Sequence, residues 1–211
     1  SRALADEQSR QEWENLLLTK STTTTIYQRY AGSCAVISYL FNGKPVSVAD
    51  LGCGGNYALR GIELREPFKP IVDGTPNQIL TKALSQRINL ERGLAIDIEN
   101  PDDEAVREWR LACSFYPQEL DELPSIVAFE DRLRRESERV QFLQADLVSF
   151  DWLPRSVVDV SILSTVLYQL PRDEQVRLIG QARDLLKPSG VLIVQDFAAK
   201  DPESPQTLTF D

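Results

Sequence analysis

Residues 46–56, Val-Ser-Val-Ala-Asp-Leu-Gly-Cys-Gly-Gly-Asn, form a short apolar run that ends in glycines. This stretch decides the fold, because a buried strand that runs into glycines lets the backbone turn sharply and approach a ligand closely. Asp50, near the end of the predicted strand, is placed to accept a hydrogen bond from a ligand's ammonium group or to orient the turn. Tyr57 stands where the pattern G-x-G-x-x-G has its third glycine, which disfavours a dinucleotide as ligand.

Further apolar runs follow this strand, and helical patterns lie between them. The other predicted strands cover residues 94–98, 140–143, 157–163 and 191–194. Helices are predicted over 3–20, which has a polar majority, and over 25–41, 79–90, 102–112, 119–137 and 172–186; apolar residues recur at helical spacing in 25–41 and 79–90. Strands that alternate with helices predict an α/β fold, a doubly wound and mostly parallel sheet with helices on both faces. We expect an N-terminal helical cap over residues 1–45 and an α/β core over residues 46–211.

Charge and composition argue against several classes of function. The chain has 211 residues, enough for one domain, and its 32 acidic against 23 basic residues give a net charge of −9. Proteins that bind nucleic acid usually carry a basic patch, whereas the basic cluster at 132–135 is interleaved with acidic residues. This charge pattern leads us to expect no nucleic-acid partner. The absence of His removes Ser–His and Cys–His nucleophiles and the commonest zinc ligand, so we also expect no metal.

Three scattered cysteines, Cys34, Cys53 and Cys113, have no metal-ligand spacing and suit free thiols in a reducing cytosol. The first twenty residues do not resemble a signal peptide, and no apolar run is long enough to cross a bilayer. We therefore expect a cytoplasmic protein without a membrane partner. The sequence does not indicate an oligomeric state.

Several segments beyond the glycine turn resemble the class I S-adenosylmethionine-dependent methyltransferases. The matching segments are residues 50–55 (first motif), 144–147 (third-strand segment), 159–171 (fourth strand and the turn after it) and 182–190 (helix and tight turn before the fifth strand). The resemblance implies a Rossmann-like sheet in the order 3-2-1-4-5 and S-adenosylmethionine as cofactor. The family's final antiparallel strands would need more than residues 201–211, so we expect the sheet to lack them.

The resemblance also implies which residues contact the cofactor. In this family the acid after the second strand binds both ribose hydroxyls, and the acid of the third-strand segment contacts the adenine amino group. The implied cofactor-binding residues are Asp50, Gly52, Cys53, Gly54, Asn56, Asp97, Ile98, Asp146, Leu147 and Ser164.

Two acids remain candidates for the ribose contact. Asp97 follows a good strand, whereas Asp73 has the more usual distance from Asp50. Asp97 is favoured, because residues 94–98 need a place in the sheet and two prolines interrupt the run before Asp73. In that case residues 57–78 are an insertion near the cofactor, suited to a lid or a substrate wall.

Tyrosines are the candidate substrate and catalytic residues. Tyr168 follows the predicted fourth strand, where many small-molecule members of the family carry His. Its hydroxyl would orient an acceptor, or its ring face would lie near the sulfonium of the cofactor. Tyr27 and Tyr30 lie in a helix that in the family often closes over the cofactor. Asn-Pro-Pro-Tyr, which in this family marks methylation of exocyclic or amide nitrogens, is absent after the predicted fourth strand, and the chain has no Pro-Cys pair for covalent attack on a pyrimidine ring.

These features favour a methyltransferase that acts on an oxygen or nitrogen nucleophile of a small molecule. Two other classes stay open at this point. One is a catalytically silent binding module with the same fold, and the other is an oxidoreductase with a nucleotide cofactor.

Overall fold

A computed structural model describes residues 7–19, 26–68, 78–113, 123–149 and 154–196 of the chain. The strands are β1 (Pro45–Leu51), β2 (Asn89–Asp97), β3 (Val140–Gln144), β4 (Val158–Ser164) and β5 (Leu186–Gln195). The helices are α1 (Glu7–Thr19), α2 (Ala31–Phe41), α3 (Tyr57–Leu64), α4 (Gln78–Ser85), α5 (Glu104–Cys113), α6 (Leu123–Glu136) and α7 (Arg172–Asp184). Short 3-10 helices cover Tyr27–Tyr30, here called the 27–30 turn, and Leu167–Gln169, here called the 167–169 turn.

The five strands form one parallel sheet in the order β3-β2-β1-β4-β5, which confirms the predicted order. β1 is central and pairs with both β2 and β4, and all its residues after Pro45 are buried. A strand buried on both faces needs a nearly continuous apolar sequence, and the run in β1 provides one. β5 lies at one edge, also as predicted.

Helices cover both faces of the sheet and bury one apolar core on each. On the first face α2 and α3 pack over Val46, Val48 and Ile162. On the second face α7 packs on β4 and β5, and its Leu178 joins Leu51 in the core. These two layers confirm the doubly wound α/β class.

Two predicted boundaries were wrong. The helix predicted over 79–90 ends at Ser85, and β2 begins at Asn89 instead of residue 94, because Leu90 pairs with Val46 and is buried in the first core. The insertion predicted over 57–78 is also incorrect in its first part. Residues 57–64 form α3, a largely buried helix that packs on β1 and β2.

Other predictions differ in detail or lie outside the described residues. The helix predicted over 25–41 is divided into the 27–30 turn and α2. The tight turn predicted before the fifth strand is part of β5, where the register with β4 shifts. Asp73 falls outside the described residues. Within the described ranges, no helix combines the length and apolar character needed to span a bilayer.

Candidate functional site

Parallel strands place their carboxyl ends at one edge of the sheet, and the candidate site lies there. At this edge the backbone leaves β1 through a turn with two left-handed glycines, Gly52 at φ +77° and Gly54 at φ +53°. The amide nitrogens of Gly52 and Cys53 both donate to the carbonyl oxygen of Ile96, at 2.8 and 3.2 Å. The turn is therefore held against the end of β2. In open parallel sheets, ligands bind at this edge, where the strand order reverses between β1 and β4.

Asp97, the last residue of β2, is hydrogen-bonded to the glycine turn. Its Oδ2 accepts from the Gly54 amide at 2.7 Å, and its Oδ1 accepts from the Ile98 amide, also at 2.7 Å. Burial raises the pKa of Asp97, although these backbone amides oppose the shift. Ile98 beside it exposes 60% of its surface, an unusual position for a large aliphatic side chain. The pair presents a carboxylate and an apolar surface next to each other.

Asp50 lies beneath the 27–30 turn and is completely buried. Burial raises its pKa to about 7, as does the neighbouring Asp97 carboxylate, while the charge of Arg29 and the hydroxyl of Tyr30 lower it. The Tyr30 hydroxyl is thus close enough to lower the pKa of Asp50, but it does not meet the geometry of a normal hydrogen bond to the carboxylate. Among the described residues, neither carboxylate oxygen of Asp50 has a partner at that geometry. A carboxyl group in that state is costly to the fold and is expected where a ligand supplies the partner.

Two other buried side chains near this edge share that property. Asn56 has a left-handed backbone, with φ at 55°. Neither the oxygen nor the nitrogen of its side-chain amide is hydrogen-bonded within the described ranges. Ser164, the last residue of β4, has a buried hydroxyl that is equally unsatisfied there. Buried polar groups without partners are rare in folded proteins, so three of them around one turn indicate a binding site.

The third-strand segment contributes an acid of a different kind. Asp146 is exposed, and its carboxylate accepts from the Val148 amide at 2.9 Å and the Ser149 hydroxyl at 2.8 Å. These hydrogen bonds lower its pKa, so Asp146 is ionised near neutrality. Leu147 is buried in the second core. Asp146 thus closes a local turn after β3 and keeps further acceptor capacity toward solvent.

Beyond β4, the chain turns through Thr165 into the 167–169 turn. Thr165 has φ at +56°, a conformation that costs energy for a β-branched residue and tends to persist at functional sites. Tyr168 follows with 53% of its surface exposed, and its amide donates to Asp196 Oδ2 at 3.2 Å. This hydrogen bond ties the turn after β4 to the residue after β5. Tyr168 is the candidate substrate residue that faces solvent.

The other two tyrosines differ from each other. Tyr30 is fully buried, beside Asp50, and its hydroxyl accepts from Arg29 Nη2 at 2.7 Å. Tyr27 instead belongs to a separate core cluster. Its ring stacks on Phe68 at 4.4 Å between centroids, and its hydroxyl donates to the carbonyl oxygen of Glu66 at 3.0 Å. The contacts of Tyr27 favour a structural role.

Sequence reasoning missed the residues that fix the loops around the site. Arg60 donates to both carboxylate oxygens of Asp102, at 2.8 and 2.6 Å, and so ties α3 to the loop after β2. Gln195, the last residue of β5, donates to the Arg29 carbonyl at 2.6 Å and accepts from Ser33 Oγ at 3.4 Å. Neither contact has a local sequence signal, because Arg29 and Gln195 are 166 positions apart.

Within the described ranges, no group of three or more Cys, Asp or Glu side chains is placed to hold a metal ion.

Comparison with known proteins gives similarity to solved structures only, since no family model and no curated protein matches the chain. The 1,6-didemethyltoxoflavin N1-methyltransferase of Burkholderia thailandensis is 18% identical over 89% of this chain and 57% of its own, with a TM-score of 0.40. The amino pentose methyltransferase CalS10 of Micromonospora echinaspora is 15% identical over 90% and 56%, with a TM-score of 0.45. The [4+2]-cyclase SpnF is 19% identical over 83% and 48%, with a TM-score of 0.43.

The chain therefore spans about half the length of these three structures. The likeness is distant in sequence and in superposition, and the residues of the site decide its chemistry.

Proposed function

We propose that the chain is a class I S-adenosylmethionine-dependent methyltransferase that methylates an oxygen or nitrogen nucleophile of a small molecule. The observation that carries this proposal is the carboxyl edge of β1 and β2. There a left-handed glycine turn, a strand-end acid and a fully buried carboxyl group lie together, and that carboxyl group has no partner at normal hydrogen-bonding geometry among the described residues. S-adenosylmethionine has a complementary polar group for each of them.

The residues at this edge fit the groups of the cofactor. Asp97 would accept hydrogen bonds from the ribose hydroxyls, and Ile98 would pack against the adenine ring beside it. Asp146 would accept from the adenine amino group, with Leu147 behind it. The backbone of Gly52, Cys53 and Gly54 allows the close approach that a side chain at those positions would block. The remaining proposed cofactor contacts are Asp50, Asn56 and Ser164, whose unsatisfied atoms support this assignment.

S-adenosylmethionine supplies a methyl group already activated on a sulfonium sulfur. The protein's task is therefore to align the acceptor with that carbon and to exclude water, and alignment alone can contribute much of the acceleration. A general base is needed only when the acceptor must lose a proton early. Because the chain has no His, we propose that Tyr168 orients the acceptor through its hydroxyl.

A small acceptor is the better match to this chain. The net charge of −9 disfavours a polyanion such as RNA. The exposed ring of Tyr168 and the apolar Ile98 both lie at the carboxyl edge and suit a flat or partly apolar molecule. We also propose a reducing cytoplasmic location, supported by the three free cysteines.

Two experiments test the proposal. Isothermal titration calorimetry should give a dissociation constant for S-adenosylhomocysteine well below that for NAD⁺. The opposite preference would indicate an oxidoreductase, and binding of neither would indicate a silent module. Transfer of a labelled methyl group should then be compared between a small-metabolite panel and structured RNA, at low and physiological salt. Efficient, salt-sensitive methylation of RNA alone would contradict the proposed acceptor.

A further inference from the structure

A half-open cavity of about 350 Å³ lies on the first face of the sheet, between α2, the end of α3 and the end of α4. That volume suits a small organic ligand. Apolar or uncharged side chains form its walls, namely Tyr27, Cys34, Ile62, Phe68, Leu84 and Ile88. The Tyr27 hydroxyl already donates to the Glu66 carbonyl, and burial raises the pKa of the Cys34 thiol and keeps it uncharged. The walls therefore suit an apolar molecule.

The cavity is separate from the carboxyl edge, where the cofactor is proposed to bind. Because β1 and β2 are parallel, the chain between them must return from the carboxyl end of β1 to the amino end of β2. Residues 65–68 follow α3 on this return path, and Ile88 stands directly before the first residue of β2. Residues from both places line the cavity. None of its described lining residues belongs to the glycine turn or to the carboxyl end of a strand.

Two arginines give the cavity a positive charge. Arg65 and Arg87 both line it and are exposed, and neither side chain has an ion pair or a hydrogen bond within the described residues. Glu66 is the one acid among the described lining residues, and its carboxylate is paired with Arg132 of α6. Two guanidinium groups next to apolar walls are therefore available to an anion.

The backbone of Arg65 supports a role for its side chain. Arg65 follows the last residue of α3 and has φ at +59°. Glycine or asparagine is usual in this left-handed conformation at a helix end, because a larger side chain costs conformational energy there. Such a cost tends to persist where a residue has a function. At this position the guanidinium both complements the dipole of α3 and lines the cavity.

We propose that this cavity is a second ligand site, which takes a small molecule with an apolar body and one carboxylate. The apolar walls would enclose the body, and Arg65 and Arg87 would pair with the carboxylate. A guanidinium matches a carboxylate with two parallel N–H donors, so the pairing fixes the direction in which the ligand enters. The inference does not rest on the proposed function, because the cavity shares none of the proposed cofactor contacts.

A matched set of probes tests the two halves of the site. Octanoate, 1-octanol and acetate are titrated calorimetrically into the full chain. Octanoate offers both the apolar body and the anion, 1-octanol only the body, and acetate only the anion. Octanoate should bind at least about fivefold more tightly than either of the others, as expected for a pairing between partly exposed charges added to burial of the chain.

Variants then assign the anion contact. Arg65→Gln and Arg87→Gln should each weaken octanoate about three- to tenfold and change 1-octanol by less than about twofold, so that 1-octanol reports whether the cavity is intact. Arg135→Gln is the matched control. It removes an equal charge from an exposed arginine in the last turn of α6, outside the cavity, and should leave both affinities unchanged.

Methyl resonances in NMR spectra locate the probe. Those of Ile62 and Ile88 should shift with octanoate, whereas those of Ile98 at the carboxyl edge should not, and saturating S-adenosylhomocysteine should not displace octanoate. Failure of octanoate to bind, shifts at Ile98 alone, or equal weakening of octanoate and 1-octanol by the arginine variants would each overturn this inference. None of these outcomes changes the expected affinity for S-adenosylhomocysteine, whose loss would instead overturn the proposed function.

Discussion

The amide of Gly54 donates to the Asp97 carboxylate at 2.7 Å, and this one hydrogen bond joins the turn after β1 to the end of β2. The two residues are 43 positions apart, yet parallel pairing of β1 with β2 brings them to the same edge. Asp97 therefore fixes the glycine turn, and in the proposed function it also accepts hydrogen bonds from the ribose hydroxyls.

Replacing Asp97 with alanine should weaken S-adenosylhomocysteine binding by about 1.5–3 kcal/mol for each charged hydrogen bond that is lost. Calorimetric titration measures this change. Asp103→Ala is the matched control, since Asp103 Oδ1 accepts from the Ala105 and Val106 amides at the start of α5. That control should lower the free energy of unfolding by about 1 kcal/mol, as for loss of a helix cap, without changing affinity. Unchanged affinity in Asp97→Ala, with a large loss in Asp73→Ala, would assign the ribose contact to Asp73.

Gly52→Ala should destabilise the fold more than Gly43→Ala, although the two glycines have almost the same backbone. Their φ angles are +77° and +79°, but an added Cβ at Gly52 would stand 2.5 Å from Val166 Cγ2, whereas at Gly43 it meets nothing within 4 Å. Gly43→Ala should cost about 1 kcal/mol for the left-handed conformation alone. At Gly52 the clash should lower the free energy of unfolding by about 1–3 kcal/mol more, which urea denaturation measures.

Combining Val166→Ala with Gly52→Ala should restore most of the free energy of unfolding that is lost through the clash at Gly52. The double variant would then approach the cost of Gly43→Ala. Equal destabilisation by Gly52→Ala with and without Val166→Ala would mean that the backbone angle, and not the contact, requires glycine.

The sequence predicted the parts of this molecule that depend on local patterns. Apolar runs that end in glycine or acid located β1 and the end of β2, and with them the position of Asp97, whereas the order of the sheet was implied by the resemblance to a known family. Leu90 shows where local patterns fail, because its spacing fits α4 equally well and only pairing with Val46 places it in β2. The contact of Gln195 with Arg29 had no such signal, since it depends on how β5 and the 27–30 turn meet in three dimensions.

Tyr27→Phe and Tyr168→Phe should separate a structural tyrosine from a substrate tyrosine. Tyr27→Phe removes the hydrogen bond to the Glu66 carbonyl and should lower the free energy of unfolding by about 1 kcal/mol, with no change in S-adenosylhomocysteine affinity. Tyr168→Phe changes an exposed ring, so the unfolding free energy should stay within about 0.5 kcal/mol. If its hydroxyl orients the acceptor, methyl transfer should fall in Tyr168→Phe alone. Full activity in that variant would remove the hydroxyl from the reaction.

Asp50→Asn should make the folded state more stable near neutral pH and at the same time weaken cofactor binding. The pKa of Asp50 is about 7 in the folded chain against its usual 3.8, so the folded state holds a proton that the unfolded chain has released. The stability linked to that proton is fully present below about pH 4 and is lost as the pH rises to about 7. At full ionisation the loss is at most on the order of 4 kcal/mol, and asparagine avoids it.

The measurement is the free energy of unfolding in urea between pH 5 and pH 8 for both chains. Burial also raises the pKa of Glu130 to about 7, which gives wild type and variant the same background slope, so their difference isolates Asp50. An equal pH slope in both chains would show that Asp50 is ionised throughout.

If ionised Asp50 pairs with the ligand's ammonium group, cofactor affinity should depend on pH in the opposite sense. The groups that act on its titration are Arg29, Asp97 and the Tyr30 hydroxyl, and burial is the largest influence. S-adenosylhomocysteine should bind wild type more tightly as the pH rises from about 5.5 to 7.5, with release of a proton that calorimetry in buffers of different ionisation enthalpy detects. Asp50→Asn should bind weakly at every pH in this range and release no proton. Tight, pH-independent binding by the variant would exclude Asp50 as the partner of the ammonium group.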